Sequence, residues 1–218
     1  MTSQFNVEID AWAHGAPIPA RNAFGQPGAD SPFDFGGNVS PAIRWSGAPP
    51  ETRSFALLCH DPDVPSSGDD VNQQGKTVPA DLPRVDFFHW VLADIPATTS
   101  GFDEGAASSG ITARGKPTGS SPLGVTGSND YTGWFNGDAD MQGTYGSYDG
   151  PCPPWNDSLL HHYHFTVYAL AVDSLGLSGD FTGTDLRTAM KGHVLAQASH
   201  MGTYSMNPSV IRAEQGGA

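Results

Sequence analysis

Four side chains far apart in the sequence could work together: Asp61, His89, His161 and Tyr163. Imidazole and phenol groups donate hydrogen bonds, and a carboxylate beside an imidazole fixes its tautomer or raises its pKa. Such a set, inside an apolar rim, makes a receptor for an oxyanion. The same His, His and Asp types also serve as metal ligands, so both chemistries stay open on residue type alone. A bland reading competes at each position: Asp61 and Asp63 beside Pro62 and Pro65 are also what turn-capping carboxylates look like, and His89 sits among apolar neighbours as a satisfied core histidine would. Serine-nucleophile chemistry has little support, because no Gly-x-Ser-x-Gly elbow occurs.

The elements that must position these groups read as strands. Ser54 to Cys59 is an apolar run bounded by breakers, and His60-Asp-Pro-Asp-Val-Pro65 follows it, where the prolines should end the ladder. Val85 to Ile95 is a second strand; simple alternation puts Phe87, His89 and Val91 on one face and Phe88, Trp90 and Leu92 on the other. The third runs from His161 to Leu170, after the proline-rich loop Asp149-Gly-Pro-Cys-Pro-Pro-Trp155. There His161, Tyr163, Phe165 and Val167 share a face, and His162, His164, Thr166 and Tyr168 share the opposite one.

Phe5 to Ile9 and Ile43 to Trp45 read as further strands, separated by a glycine- and proline-rich passage. Ser66 to Pro83 reads as a surface excursion, and Pro96 to Thr144 carries aromatics but no chemistry that its pattern identifies. Thr184 is the expected N-cap of a helix through Lys191, and the spacing of Leu186, Met190, Val194, Ala198 and Met201 extends that helix to Ser199. A last short strand is expected at 202–205 and a frayed tail at 208–218. The predicted fold is mainly β: one domain over 1–218, with its core at 5–204 and no linker separating two cores.

Composition narrows the function. Among 218 residues there are 27 glycines and 18 prolines without a period, which suits a loop-rich fold rather than collagen. A formal charge of -13 with only ten Lys and Arg excludes binding to duplex nucleic acid or anionic membranes through a basic patch. Two cysteines, Cys59 and Cys152, allow at most one disulfide. The opening residues show no signal peptide, and no apolar run reaches the ~20 residues of a membrane helix. A cytoplasmic location is the expectation.

Read in order, Asp61-Pro-Asp-Val-Pro65, Phe88-His-Trp-Val91 with Asp94-Ile-Pro96, Tyr148-Asp-Gly-Pro-Cys-Pro-Pro154 and His161-His-Tyr163 resemble the successive signatures of the phosphatidylethanolamine-binding protein family, also called the Raf kinase inhibitor protein family. Gly37-Asn-Val-Ser-Pro41 with Trp45, Gly192-His-Val-Leu-Ala196 and Gly202-Thr-Tyr204 are similar to its bacterial and archaeal branch. The resemblance covers about Phe5 to Tyr204. It implies a large central antiparallel sheet packed on a smaller one, with one or two helices near the C-terminus. It also implies a non-enzymatic anion pocket for phosphate, acetate or a phosphoethanolamine head group, without a cofactor. On that resemblance Asp61 is the pocket aspartate, Asp63 its second carboxylate, His89 the first histidine and Pro65 a wall. Pro153 or Pro154 forms the loop wall, and His161 and Tyr163 complete the site. A protein partner and a homodimer are further implications.

Departures stand out. His162 replaces the family's usual arginine, on the strand face away from the pocket. Trp155 stands where a small or basic residue is commoner and is expected to narrow the mouth. The insertions 66–83 and 124–146 are expected to rebuild the rim. Pro65 or Pro154 is expected to follow a cis peptide. The alternative function is a hydrolase or phosphatase-like enzyme, metal-assisted or not, using the same Asp and His groups.

Overall fold

The computed structural model describes residues 4–216. Its main sheet has six strands in the order Val194–Tyr204, His161–Leu170, Ser54–Pro65, Arg84–Pro96, Gly124–Thr126 and Gly119–Ser121, with every neighbouring pair antiparallel. The two strands with the longest apolar runs lie at its centre, buried on both faces, as near-continuous hydrophobic sequence requires. One face packs on a three-stranded sheet of Asn6–Ile9, Ile43–Ser46 and Gly101–Phe102. Val7, Ile43, Trp45, Leu57, Trp90 and Phe165 fill the space between. The other face buries Ala56, Leu58, Phe88, Val91 and Leu170 under Phe181, Leu186 and Met190. The expected mainly-β architecture of a large and a small sheet is therefore what the chain adopts.

Three local features differ from simple alternation. First, the central strand does not stop at Cys59 but runs on to Pro65, with its register shifting between Asp61 and Val64. The shift absorbs Pro62, which has no N–H to give the ladder. Second, Cys59 pairs with Trp90 while His60 pairs with Phe88, so His89 is an extra residue, a β-bulge. The bulge reverses the alternation beyond it. Trp90 and Leu92 join the large core, whereas Val91 joins Phe88 on the other face. Third, no peptide among the described residues is cis, so the expectation at Pro65 or Pro154 is not met.

The C-terminal region also differs. The helix is Gly183–Ala189, and its N-cap is Thr182 rather than Thr184: Thr182 Oγ1 accepts from Asp185 N, and the Asp185 carboxylate accepts from Thr182 N in return. It does not continue to Ser199. Gly192 takes φ +81 and turns the chain back, and Val194–Tyr204 becomes a strand along the whole of His161–Leu170. The three-and-four spacing of Leu186, Met190, Val194, Ala198 and Met201 is thus shared between a helix and a strand. A long unsatisfied sheet edge outweighs local helix preference. Pro208–Gly216 is helical rather than frayed, with 217 and 218 outside the described residues.

Candidate functional site

A cavity of about 350 Å³ opens at the end of the main sheet where the Ser54–Pro65, Arg84–Pro96 and His161–Leu170 strands enter their loops. Asp61, Pro65, His89, Pro153, Pro154 and Tyr163 all line it. Asp61, His89 and Tyr163 reach it from three strands, and Tyr163 and His89 meet edge to face with ring centroids 5.2 Å apart. The bulge at His89 keeps its ring on the same side as Asp61 and Tyr163. That is a common use of an extra residue in a strand: to re-aim a side chain.

His161 lies one layer deeper. It is fully buried, with Nδ1 donating to Asp61 Oδ2 at 2.7 Å and Nε2 donating to Asp157 Oδ2 at 3.1 Å. Arg84 grips Asp157 with both terminal nitrogens, at 2.6 and 3.1 Å. Burial alone would lower the His161 pKa, but the Asp61 charge and the two carboxylate hydrogen bonds outweigh it and raise it to about 9. Burial works the other way on Asp61 and Asp157. There it is overcome chiefly by His161, with Arg84 also helping at Asp157, and both carboxyls are held below their ordinary range. The row Asp61, His161, Asp157, Arg84 alternates in charge and sums to zero. His161 therefore has no ring nitrogen left to offer the cavity; it positions Asp61, whose Oδ1 is further fixed by Asp63 N at 2.8 Å.

Asp63 is also placed away from the cavity lining. Its Oδ2 accepts from His162 N at 2.9 Å and pairs with His162 Nδ1 at 2.8 Å on the opposite face of the sheet. His162 occupies the face expected for it, with its side chain partly exposed. Trp155 does not narrow the mouth. It lines a separate depression with Lys76 and Asn207.

A second polar network, which the sequence did not reveal, holds His89. The Asp149 carbonyl accepts from His89 Nδ1 at 2.8 Å, which requires the proton on Nδ1. Burial lowers the His89 pKa despite the pull of Asp61 and of that carbonyl. The neutral ring therefore presents Nε2 as an acceptor. Asp149 itself is wholly buried, and its carboxylate accepts from Asn38 Nδ2 at 2.8 Å, Lys116 Nζ at 2.6 Å and Asn129 Nδ2 at 2.9 Å. Asn38 Oδ1 in turn accepts from Gly150 N. Gly150 is obligatory, since a Cβ there would collide with the Asn22 carbonyl. The Asn of Gly37-Asn-Val-Ser-Pro41 thus ties an early loop to the proline-rich loop behind the cavity.

The Tyr163 hydroxyl is buried beside the Asp61 carboxylate without a well-formed hydrogen bond to it, and burial first, then that carboxylate, push its pKa well up. A buried hydroxyl left unpaired costs on the order of 1–3 kcal/mol. Around this polar floor the walls are aromatic: Phe24, Phe87, Tyr131 and Phe135, with Phe33, Phe35 and Trp134 at the mouth. Tyr131 and Trp134 begin and end a short helix inside the region whose pattern gave no signal. The excursion 66–83 supplies Gly68, Val71 and Asn72 to the rim. Asn156 anchors it, accepting from Asn72 N at 2.9 Å and donating to Asp70 O at 2.8 Å, as does Arg84 through Pro79 O at 2.7 Å. Among the described lining residues the only charged types are Asp61 and Asp138; no lysine or arginine contributes.

Cys59 and Cys152 are both free thiols. Cys152 lines the cavity, and burial pushes its pKa up to about 12, so it remains a thiol. The described residues include no cluster suited to a metal ion and no helix long and apolar enough to cross a membrane.

With the fold and site defined, the chain's kinship follows. Residues 8–205 match the phosphatidylethanolamine-binding protein family, and the chain belongs to that family. The UPF0098 protein of Methanothermobacter thermautotrophicus is 36% identical over 169 residues, covering 78% of this chain and 84% of the relative. The UPF0098 protein YbcL of Escherichia coli is 30% identical over 173 residues, covering 79% and 72%. The crystal structure of E. coli YbcL, described as a new member of the mammalian PEBP family, shares the fold with a TM-score of 0.65 at 24% identity over 93% of this chain and 99% of that one. A putative phosphatidylethanolamine-binding protein homologue from Chlamydia trachomatis D/UW-3/CX gives 0.59 at 26% identity, over 92% and 97%.

Proposed function

We propose that the protein is a non-enzymatic receptor whose cavity floor binds one phosphoryl or carboxylate group in a proton-bearing form. The observation that carries this is the unpaired, buried Tyr163 hydroxyl beside His89 and Asp61 at the floor of an open cavity. Tyr163 donates to one ligand oxygen. His89 donates from Nε2 once it takes up a proton. The ligand's own acidic proton is shared with the Asp61 carboxylate, each oxygen of which still has a free lone pair. A fully ionised dianion would face Asp61 with no lysine or arginine to offset the repulsion, so the protonated form is selected. His161 contributes by holding Asp61 in place.

The lining holds no serine or threonine and Cys152 is a thiol, so a hydrolytic role through a hydroxyl or thiolate nucleophile finds no support there. We place the receptor in the cytoplasm. Phosphate, acetate and phosphoethanolamine are the ligands to test first, and regulation of a protein partner is the family-based extension of this role.

Calorimetric titration of these ligands from pH 8 to 5.5 tests the reading. Affinity should rise as pH falls, because both His89 and the ligand gain the protons the site needs. Tyr163→Phe removes a hydrogen bond to a charged group worth roughly 1.5–3 kcal/mol, so affinity should fall about tenfold to more than a hundredfold. Unchanged affinity in Tyr163→Phe, or binding that strengthens with rising pH, refutes the proposal.

A further inference from the structure

The polar floor occupies only a small part of the cavity. At ~30 Å³ per water, the space corresponds to roughly a dozen water volumes, while a phosphoryl group brings only its three terminal oxygens to the floor. What surrounds the remainder is a continuous run of rings. Phe87 lies 4.9 Å from His89 and 5.2 Å from Tyr131; Tyr131 stacks on Phe24 at 4.6 Å and 24°; Phe24 meets Phe35 at 5.9 Å, and Phe35 meets Phe33 at 5.2 Å. The run leads from the floor to solvent without a charged interruption.

Its outer end is exposed. Phe33, Phe35 and Trp134 are 38%, 45% and 54% accessible, and these three are half of the large hydrophobic side chains the described surface exposes. Scattered exposed apolar residues need no explanation, but three aromatics around one cavity mouth do. The charge pattern narrows the choice further. Away from the floor the only charged group among the described lining residues is the carboxylate of Asp138. A ligand with a second phosphate or carboxylate would meet an acid and no base, so polyphosphates and sugar bisphosphates are disfavoured.

We infer that the physiological ligand is an aromatic monoacid, a planar ring carrying a single phosphoryl or carboxylate group. The acid sits at His89 and Tyr163, and the ring lies against the aromatic side chains of the mouth, Phe35 and Trp134 among them. This inference rests on the receptor reading above and adds the class of molecule attached to the bound group. Aromatic pairs prefer offset-stacked or edge-to-face contact and gain beyond the area they bury. A ring is therefore a better occupant of this channel than an alkyl chain of equal size.

The test compares inorganic phosphate, butyl phosphate and phenyl phosphate at pH 6 by calorimetry, in the native protein and in Trp134→Ala and Phe35→Ala. Burying a phenyl group should make phenyl phosphate ten- to a hundredfold tighter than inorganic phosphate, with butyl phosphate in between. In each rim variant the ratio of phenyl phosphate to phosphate affinity should collapse to within about threefold of one if that ring carries the contact. Both side chains are exposed, so the fold tolerates their truncation. Phosphate binding with no gain from the phenyl group, a butyl ester that binds as tightly as the phenyl ester, or a ratio untouched in both variants overturns the inference while leaving the receptor reading intact. Failure of every oxyanion to bind, phenyl phosphate included, overturns both.

Discussion

Above neutral pH the stability of this protein should be governed by one buried histidine. His161 is protonated between Asp61 and Asp157, with its pKa raised from 6.5 to about 9. A group whose pKa is raised on folding stabilises the fold fully below its unfolded value and loses that contribution as pH climbs through its folded value, because the native state then binds the extra proton. At about 1.4 kcal/mol per pH unit, the rise amounts to roughly 3 kcal/mol in full. Between pH 7 and 8.5 the part lost is about 2 kcal/mol. This window is chosen for its neighbours. His60, His89, His164 and His200 are all lowered on folding, so their contribution is lost as pH falls below 6.5 and changes little above it. Cys59 and Cys152 are raised and weaken the fold only as unfolded thiols begin to ionise, near the top of the window and beyond it. Asp61 and Asp157 are lowered and act only in acid. Urea unfolding at pH 7, 7.5, 8 and 8.5 should show the native protein losing about 2 kcal/mol, while His161→Gln starts lower and stays flat within about 0.5 kcal/mol. Parallel curves, or a native protein with constant stability across the window, would show that His161 is not charged in the fold.

Arg84→Leu removes the charged partner that shares Asp157 with His161 and leaves the buried carboxylate with His161 and the Leu159 N–H; breaking a buried pair in this way should cost about 3–5 kcal/mol in urea unfolding. The same change frees the 79–82 backbone from the Arg84 guanidinium, so limited proteolysis should cut within 66–83 faster than in the native protein. Asn38→Ala leaves Gly150 N without its side-chain acceptor and removes one of three side-chain donors to the Asp149 carboxylate, so a loss of about 1–3 kcal/mol is expected. An Asn38→Ala protein as stable as the native one would show that this network is not what fixes the loop behind His89.

Alternation and breakers singled out Asp61, His89 and Tyr163 on three readable strands, whereas Pro65, Pro153 and Pro154 entered only through the family resemblance; these six line one cavity, and Asp63 and His161 do not. The same reasoning misplaced Trp90 and Val91. A bulge leaves no trace in a hydrophobic pattern, since either register buries apolar residues; it shows only when the partner strand is known. Strand pairing likewise decided the fate of 194–199, where helical spacing and edge pairing competed. Phe24, Tyr131, Trp134, Asp149 and Arg84 were not legible as site residues. They come from segments without periodicity, and such segments acquire their geometry from long-range bonds such as Asn156 to Asp70 and Asn38 to Asp149. Asp157, four residues before His161, is the one missed group that its spacing to a recognised histidine could have flagged.

The buried row of Asp61, His161, Asp157 and Arg84 is hard to explain by stability alone. A hydrophobic replacement of similar volume is often neutral or better, because desolvating charges costs several kcal/mol per ion. What the row supplies is geometry and charge state in one device. It joins two central strands to the proline-rich loop, and through Arg84 it reaches the backbone at Asp63, Pro79 and Leu82, so floor and rim are fixed by the same bonds. It also keeps Asp61 ionised at the bottom of an apolar cavity, where an isolated carboxyl would take up a proton. An ionised Asp61 can only accept. Tyr163 stands ready to donate, and His89 donates once it takes up a proton, so a ligand group that donates to Asp61 and accepts from the other two, as a half-protonated phosphoryl group does, satisfies all three. A fully ionised one cannot. On the receptor reading proposed above, the row turns an acidic, lysine-free cavity into a site that selects its ligand by the proton the ligand carries.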